Sequence, residues 1–426
     1  MTLGLIAALA REGAAVRSFK IGPDYIDPAF HAAASGRPCL TLDPWAMRGA
    51  TLEALMAELT AESDIVIGEG VMGLFDGAPD GTGSTADLAA RFALPVFLII
   101  DASRQGASIA ALAEGFARHR QDVKIVGVVL NRVGSKTHET TLRRALDAAG
   151  IDVVGAMPRD EALALPSRHL GLIQAREHAA LDAFITHVAD MVSRHVDLAK
   201  LRAIATPPRL EREIVTKQRR ETLSYSIPLL GQRIAIARDD AFAFTYDYVL
   251  DGWRRAGATL SFFSPLADEA PAADCNAIYL PGGYPELHAG RLAAATRFMT
   301  GLRNAARRGT TIYGECGGYM TLGDGLIDAN GARHEMAGLL PLETSFAARK
   351  LHLGYRTLEL AADSPLGQKG TRFKGHEFHY ATIVSEGDVE PLFDARDAMG
   401  ASLGRIGRRV GTVFGSFAHL IDRADG

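Results

Sequence analysis

The stretch Thr310-Thr-Ile-Tyr-Gly-Glu-Cys-Gly-Gly-Tyr-Met-Thr-Leu-Gly323 reads as a strand that breaks sharply into a helix, with one cysteine at the break. Thr310 to Tyr313 are β-branched or aromatic and favour a pleated strand, whereas Gly314, Gly317 and Gly318 tolerate unusual backbone angles, and Tyr319 to Leu322 can open a helix. Cys316 then sits at a helix N-terminus, where partial positive charge and free N–H groups favour the thiolate and can hold an oxyanion. The competing reading is an inert buried cysteine, the usual state of a free thiol.

Outward from that stretch, the composition is that of a globular protein of two or three domains. The chain has 426 residues, 47% hydrophobic and 23% charged, with a net charge of −4, which gives no general electrostatic case for nucleic acid. Three widely spaced cysteines, Cys39, Cys275 and Cys316, argue against a disulfide framework or zinc site and for a reducing cytoplasm. No apolar run is long enough to span a bilayer, so no membrane association is expected.

In chain order, Met1 to Arg11 has helical periodicity and Ala14 to Ile21 reads as a strand. Short runs that are apolar on both faces follow at Asp64–Gly68, Pro95–Ile100, Lys124–Leu130 and Val153–Met157. They alternate with helical stretches near 52–59, 108–119, 140–149 and 179–195, the pattern of a doubly wound parallel sheet. Asp197 to Ser226 carries Pro207-Pro208 and the charged run Arg209 to Glu221, and reads as a linker or a peripheral helix. A second α/β series opens at Arg233–Ala237 and reaches Ala277–Leu280 before Pro281-Gly-Gly-Tyr-Pro-Glu286. The tail, with Phe373–Tyr380 and Gly411–Ile421, reads as β-structure carrying histidines. The expected domains are 1–196 and 231–426, joined by 197–230.

Two constellations carry chemistry. A thiolate needs a base, and the histidines beyond Cys316 are His334, His352, His376, His379 and His419. His419 is the preferred partner, because a Gly-rich apolar strand delivers it rigidly near the chain end. Gly282 and Gly283 supply a second source of oxyanion donors opposite the N–H of Gly317. In the first domain Asp24, Asp27, Glu69, Asp76 and Asp101 all fall at or just past strand ends, the ligand edge of a parallel sheet, where carboxylates suit magnesium and phosphate chemistry.

These residues reach a known family. The chain resembles the cobyrinate (or hydrogenobyrinate) a,c-diamide synthases along nearly its whole length, on Lys20-Ile-Gly-Pro-Asp-Tyr-Ile-Asp-Pro-Ala-Phe-His31, Glu69-Gly-Val-Met-Gly-Leu-Phe-Asp-Gly77, Pro281–Glu286, Gly314–Gly323 and Gly375-His-Glu-Phe-His-Tyr380. The resemblance implies a P-loop-NTPase-like synthetase domain, similar to dethiobiotin synthetase, followed by a class I glutamine amidotransferase domain. It implies that glutamine supplies ammonia and that ATP activates the a and c acetate carboxylates of a corrin precursor. It assigns Cys316 as nucleophile and His419 as its activator, and puts Asp24, Asp27, Glu69 and Asp76 on the ATP, Mg2+ and corrin side, with Glu69 and Asp24 beside the metal. Asn131, in Gly127-Val-Val-Leu-Asn-Arg132, takes the adenine-recognition position. A homodimer is a candidate assembly.

Two departures from the family pattern stand out. Many class I amidotransferases carry a carboxylate two residues after the histidine; here that position is Ile421 and the nearest acid is Asp422, so a Cys–His pair is expected with no third member assigned. The G-x-x-x-x-G-K-[ST] phosphate loop that should precede Thr2 is absent, and the expectation is a start placed downstream of it, giving a chain that binds ATP poorly until roughly 20 upstream residues are restored. Related readings are a cobyric acid synthase, a nickel-sirohydrochlorin diamide synthase, a chain retaining only glutaminase activity, or a non-catalytic partition-type protein.

Overall fold

The computed structural model describes residues 1–164, 167–168, 171–210 and 226–424. The chain divides into two compact units, Met1–Pro44 with Leu55–Gly77 and Thr82–Glu213, and Trp45–Ala54 with Ala78–Gly81 and Ile214–Gly426. Of the segment read as a linker, Leu198–Ile204 is a helix, and most of the charged run Arg209–Glu221 lies outside the described residues.

The first unit opens with α1 (Thr2–Arg11), whose Ile6 and Leu9 are fully buried. It packs against the helix Leu181–His195 at Gly4, where an added Cβ would lie 3.0 Å from the carbonyl oxygen of Val188, so only glycine permits this approach. The strands are β1 (Val16–Ile21), β2 (Cys39–Leu42), β3 (Ile65–Gly70), β4 (Pro95–Asp101), β5 (Lys124–Val133) and β6 (Val153–Pro158). All pair in parallel, as runs apolar on both faces must. They form two three-stranded sheets, β2-β1-β3 and β4-β5-β6, in place of one continuous sheet; β3 and β4 share no ladder among the described residues. Helices such as Ile109–His119 and Lys136–Ala148 connect successive strands.

The second unit is built on a ten-stranded sheet. Its first five strands run in parallel in the order Thr259–Phe263, Arg233–Ala237, Ala277–Leu280, Thr311–Glu315, Val413–Ser416. The remaining five are antiparallel: Ser402–Val410, Glu390–Arg396, His352–Leu360, Arg372–His379 and finally His419–Arg423. The Gly-rich strand expected just before His419 forms as Val413–Ser416, and within the β-structure read over Gly411–Ile421 the chain turns a corner. Val413–Ser416 stays beside the nucleophile strand, and after Phe417-Ala418 the chain enters a new strand beside Arg372–His379, beginning at His419. A separate four-stranded sheet uses Gly325–Ile327, Arg333–Glu335, Leu342–Ser345 and Thr382–Glu386.

Candidate active sites

The elbow is formed as the sequence predicts. Thr311–Glu315 is a strand, Gly317–Leu322 a helix, and Cys316 between them holds φ at 47°, a left-handed angle that a β-carbon makes costly and that is found where a structure over-determines it. Its backbone is pinned, the N–H donating to Ser416 O at 2.8 Å and the carbonyl accepting from Met320 N at 3.0 Å. The floor is glycine by necessity. A Cβ on Gly318 would overlap Leu280 O, and one on Gly317 would stand 3.0 Å from Gly283 N, so Gly317 and Gly283 lie against each other. A Cβ on Gly282 would overlap His419 Cε1, with His419 Nε2 at 3.2 Å and Cys316 Cβ at 3.3 Å from the same point. The structure thus brings Cys316, His419, Gly282, Gly283 and Gly317 together.

The electrostatics of the thiol differ from the expectation. Burial, with Glu286, Glu315 and Glu377 acting the same way, pushes the Cys316 thiol well above the usual range, and the opposing hydrogen bond from Gly317 N–H does not reverse this. Desolvation outweighs the end of a six-residue helix, so in the resting protein the sulfur keeps its proton. The acid beside His419 is Glu315, whose Oε2 stands 3.6 Å from His419 Nδ1. Asp422, the nearest acid in sequence, faces elsewhere: it is fully buried and binds Arg48 Nη2 at 2.9 Å and Thr51 Oγ1 at 2.6 Å, both within the same unit. The His376 ring stacks on His419 at 5.0 Å and meets Tyr246 OH at 3.1 Å through Nε2; burial, then His419 and Arg356, push it well below the usual imidazole range. His379 stacks on Phe417 and is pushed down to about 3 by burial, then by His352. His334 is bound to Asp328 at 2.8 Å.

In the first unit a cavity of about 850 Å³ is lined by Thr2, Asp27, His31, Glu69, Asp101 and Asn131, among others. Asp27 and Glu69 of this lining meet Lys20, which is buried near the end of β1 and sits in ladder register with Glu69 on β3. Its ammonium contacts Asp27, Glu69 at 3.1 Å and Asp24 at 3.4 Å. Glu69 also accepts from Thr2 Oγ1 at 2.7 Å and lies 3.1 Å from His31 Nε2. Burial opposes its charge, yet His31, Lys20 and Thr2 outweigh burial and hold the carboxyl well below the usual range. Asp24 is pushed upward by burial and by Asp27. Asp76 does not join this group: it is exposed on the loop after β3, its carboxylate folded over Gly73. Among the described residues no three His, Cys, Asp or Glu side chains form a ready metal cage, because the three carboxylates already converge on Lys20.

Two family models match the chain. Residues 1–173 match a CobQ/CobB/MinD/ParA nucleotide binding domain and residues 233–425 a CobB/CobQ-like glutamine amidotransferase domain. A hydrogenobyrinate a,c-diamide synthase of Brucella anthropi is 56% identical over 99% of this chain and 95% of its own length; those of Rhizobium meliloti and Rhodobacter capsulatus are 54% and 50% identical at the same coverage. The chain belongs to the hydrogenobyrinate a,c-diamide synthase family.

As a member of that family it combines a nucleotide-binding α/β domain with a glutamine amidotransferase domain, each carrying its own polar cluster. Residue-by-residue reading missed three members of these diamide synthase clusters. Lys20 and His31 bracket a quoted motif, but a lysine among aspartates reads as a solvated charge until the β1–β3 register buries it. Glu315 precedes the nucleophile, and strand alternation alone could have signalled that its side chain leaves on the same face as Tyr313, opposite Gly314.

Proposed function

We propose that this chain amidates the a and c acetate carboxylates of hydrogenobyrinic acid, or of its cobalt-bearing counterpart cobyrinic acid, using nitrogen from glutamine and energy from ATP, in cobalamin biosynthesis. The observation that carries the reading is the Cys316 elbow with His419 across Gly282, in a chain of this family. His419 removes the proton that burial keeps on Cys316; the sulfur attacks the glutamine side-chain carbonyl, and the oxyanion is held by N–H groups of Gly317 and the Gly282-Gly283 turn. His419 returns the proton to the leaving nitrogen, and water releases glutamate from the thioester. Ammonia freed inside protein stays unprotonated until it meets an activated carboxylate.

A carboxylate does not react with ammonia at a useful rate, so its oxygen must first leave as phosphate. We assign 1–196 to that step, 231–426 to glutamine hydrolysis, and 197–230 to the connection. Asp24, Asp27 and Asp76 face nucleotide or substrate, and Asn131 the adenine. The oxygen donors around Lys20 fit a hard cation shared with phosphates, which needs only one or two carboxylates; Glu69 and Asp24 would hold it. Mg2+ held there by Glu69 and Asp24 would supply positive charge against the transferred phosphoryl group. Cytoplasmic residence fits the reliance on ATP and glutamine, and a homodimer would register as a doubled mass in solution.

Cys316→Ala is expected to abolish glutamine hydrolysis and glutamine-dependent amidation, leaving ammonia-supported amidation at the parent level. Normal glutamine turnover by this variant would refute the reading.

A further inference from the structure

The sequence offers no carboxylate at the usual spacing after His419, yet the fold delivers one from the residue that precedes the nucleophile. Glu315 ends the strand Thr311–Glu315 and is almost fully buried. Its Oε1 accepts hydrogen bonds from Tyr313 OH at 2.8 Å and from the backbone N–H of Leu420 at 3.1 Å. Its Oε2 accepts from Tyr279 OH at 2.8 Å and faces His419 Nδ1 at 3.6 Å. Burial and Glu315 itself push both phenols well above their usual range, so they stay protonated donors, and the two rings stack at 5.8 Å. A carboxylate held by three donors in the protein interior is fixed in place and keeps a lone pair for a fourth.

The imidazole is thereby addressed from two sides. Its Cε1–Nε2 edge lies over Gly282 beside Cys316, and its Nδ1 edge faces Glu315. The Leu420 N–H bond ties the carboxylate to the residue next to His419, so the distance between acid and base is set by backbone. At 3.6 Å the resting contact is longer than a hydrogen bond; catalytic contacts of this kind tighten when charge appears.

We propose that Glu315 is the positioning residue for His419: it selects the ring orientation and tautomer that present Nε2 to Cys316 and stabilises the imidazolium formed when the thiol gives up its proton. The sequence thus carries base-orienter and nucleophile as neighbours, with Tyr279 and Tyr313 fixing the orienter. This rests on the assignment of Cys316 and His419 made above.

The test is steady-state glutamine hydrolysis by the full chain. Glu315→Gln is expected to lower kcat by about 10²-fold or more, within the ~10²–10⁴ range for neutralising an orienting carboxylate, with KM for glutamine changed by less than about threefold. The groups facing His419 are Glu315 and Cys316 from the elbow strand and His376 and His379 from Arg372–His379, and the last two are held neutral. Withdrawing the one anion at Nδ1 makes the imidazolium harder to form, so the acidic limb of kcat/KM should move to lower pH, which lost packing alone would not do. Tyr279→Phe, which keeps the ring and frees one carboxylate oxygen, should give a smaller fall, roughly tenfold. Parent kcat and an unmoved acidic limb in Glu315→Gln overturn the proposal; should that variant fail to fold, parent kcat in Tyr279→Phe overturns it. Cys316→Ala separates the two levels: glutamine turnover in that variant sinks the nucleophile assignment itself, whereas an inactive Cys316→Ala beside a fully active Glu315→Gln sinks only the role of Glu315.

Discussion

Gly282 has no room for a side chain, and the atom it would strike belongs to the proposed base. Gly282→Ala should therefore displace the His419 ring and lower the kcat of glutamine hydrolysis by about 10²-fold, the scale of a 1 Å misplacement, while the melting temperature changes little. A parent-like kcat would mean that the ring can move aside without consequence. At this scale the sequence was informative wherever backbone chemistry dictates residue type. Gly314, Gly317 and Gly318 announce the elbow because a Cβ at any of them would collide with its neighbours, and the cysteine among them marks the candidate nucleophile. The state of the thiol was not legible, since helix-end polarity can be read locally but the desolvation that overrides it depends on burial by distant strands.

Elements explain why Lys20 matters. β1 and β3 pair in parallel with Lys20 opposite Glu69, and the turn after β1 returns Asp24 and Asp27 to the same ammonium. Lys20→Met leaves three carboxylates without their cation. Removing one partner of a buried ion pair costs about 3–5 kcal/mol, and because these carboxylates retain 14–31% exposure the expected loss is nearer ~2 kcal/mol, measured by denaturant unfolding. No loss would indicate that solvent already neutralises the group. Periodicity placed the parallel strands it named, such as Pro95–Asp101, Lys124–Val133 and Arg233–Ala237, to within a few residues, because double-sided apolar runs have few alternatives to a parallel sheet; it left the helix Asp27–Ser35 and the strands Cys39–Leu42 and Thr259–Phe263 unread. It read Gly411–Ile421 as β-structure with no corner placed in it, since a corner between two strands that are both apolar leaves no polar interruption to read.

For the whole molecule, buried histidines weaken the fold as pH falls. An unfolded imidazole titrates near 6.5, whereas His379 in the fold takes a proton only at about 3. The fold holds the neutral form, so this contribution is complete above pH ~6.5 and declines as pH falls toward 3, by up to about 1.4 kcal/mol per pH unit for each such histidine; His376 is shifted in the same direction. Melting temperature should fall across that window, and His379→Gln should flatten the decline. The two-domain plan was legible because each half repeats its own strand–helix pattern. What composition could not disclose is that Trp45–Ala54 packs with the second unit. Arg48 and Thr51 in that segment hold the buried Asp422, three residues beyond His419 on the same strand, which burial pushes above the usual carboxylate range even against these two partners. Sequence order and foldable unit thus part company: a gene fragment opened at residue 231 inherits the carboxylate and leaves both of its partners behind, so the amidotransferase half is not a module that can be excised, shuffled or fused by its apparent boundary alone.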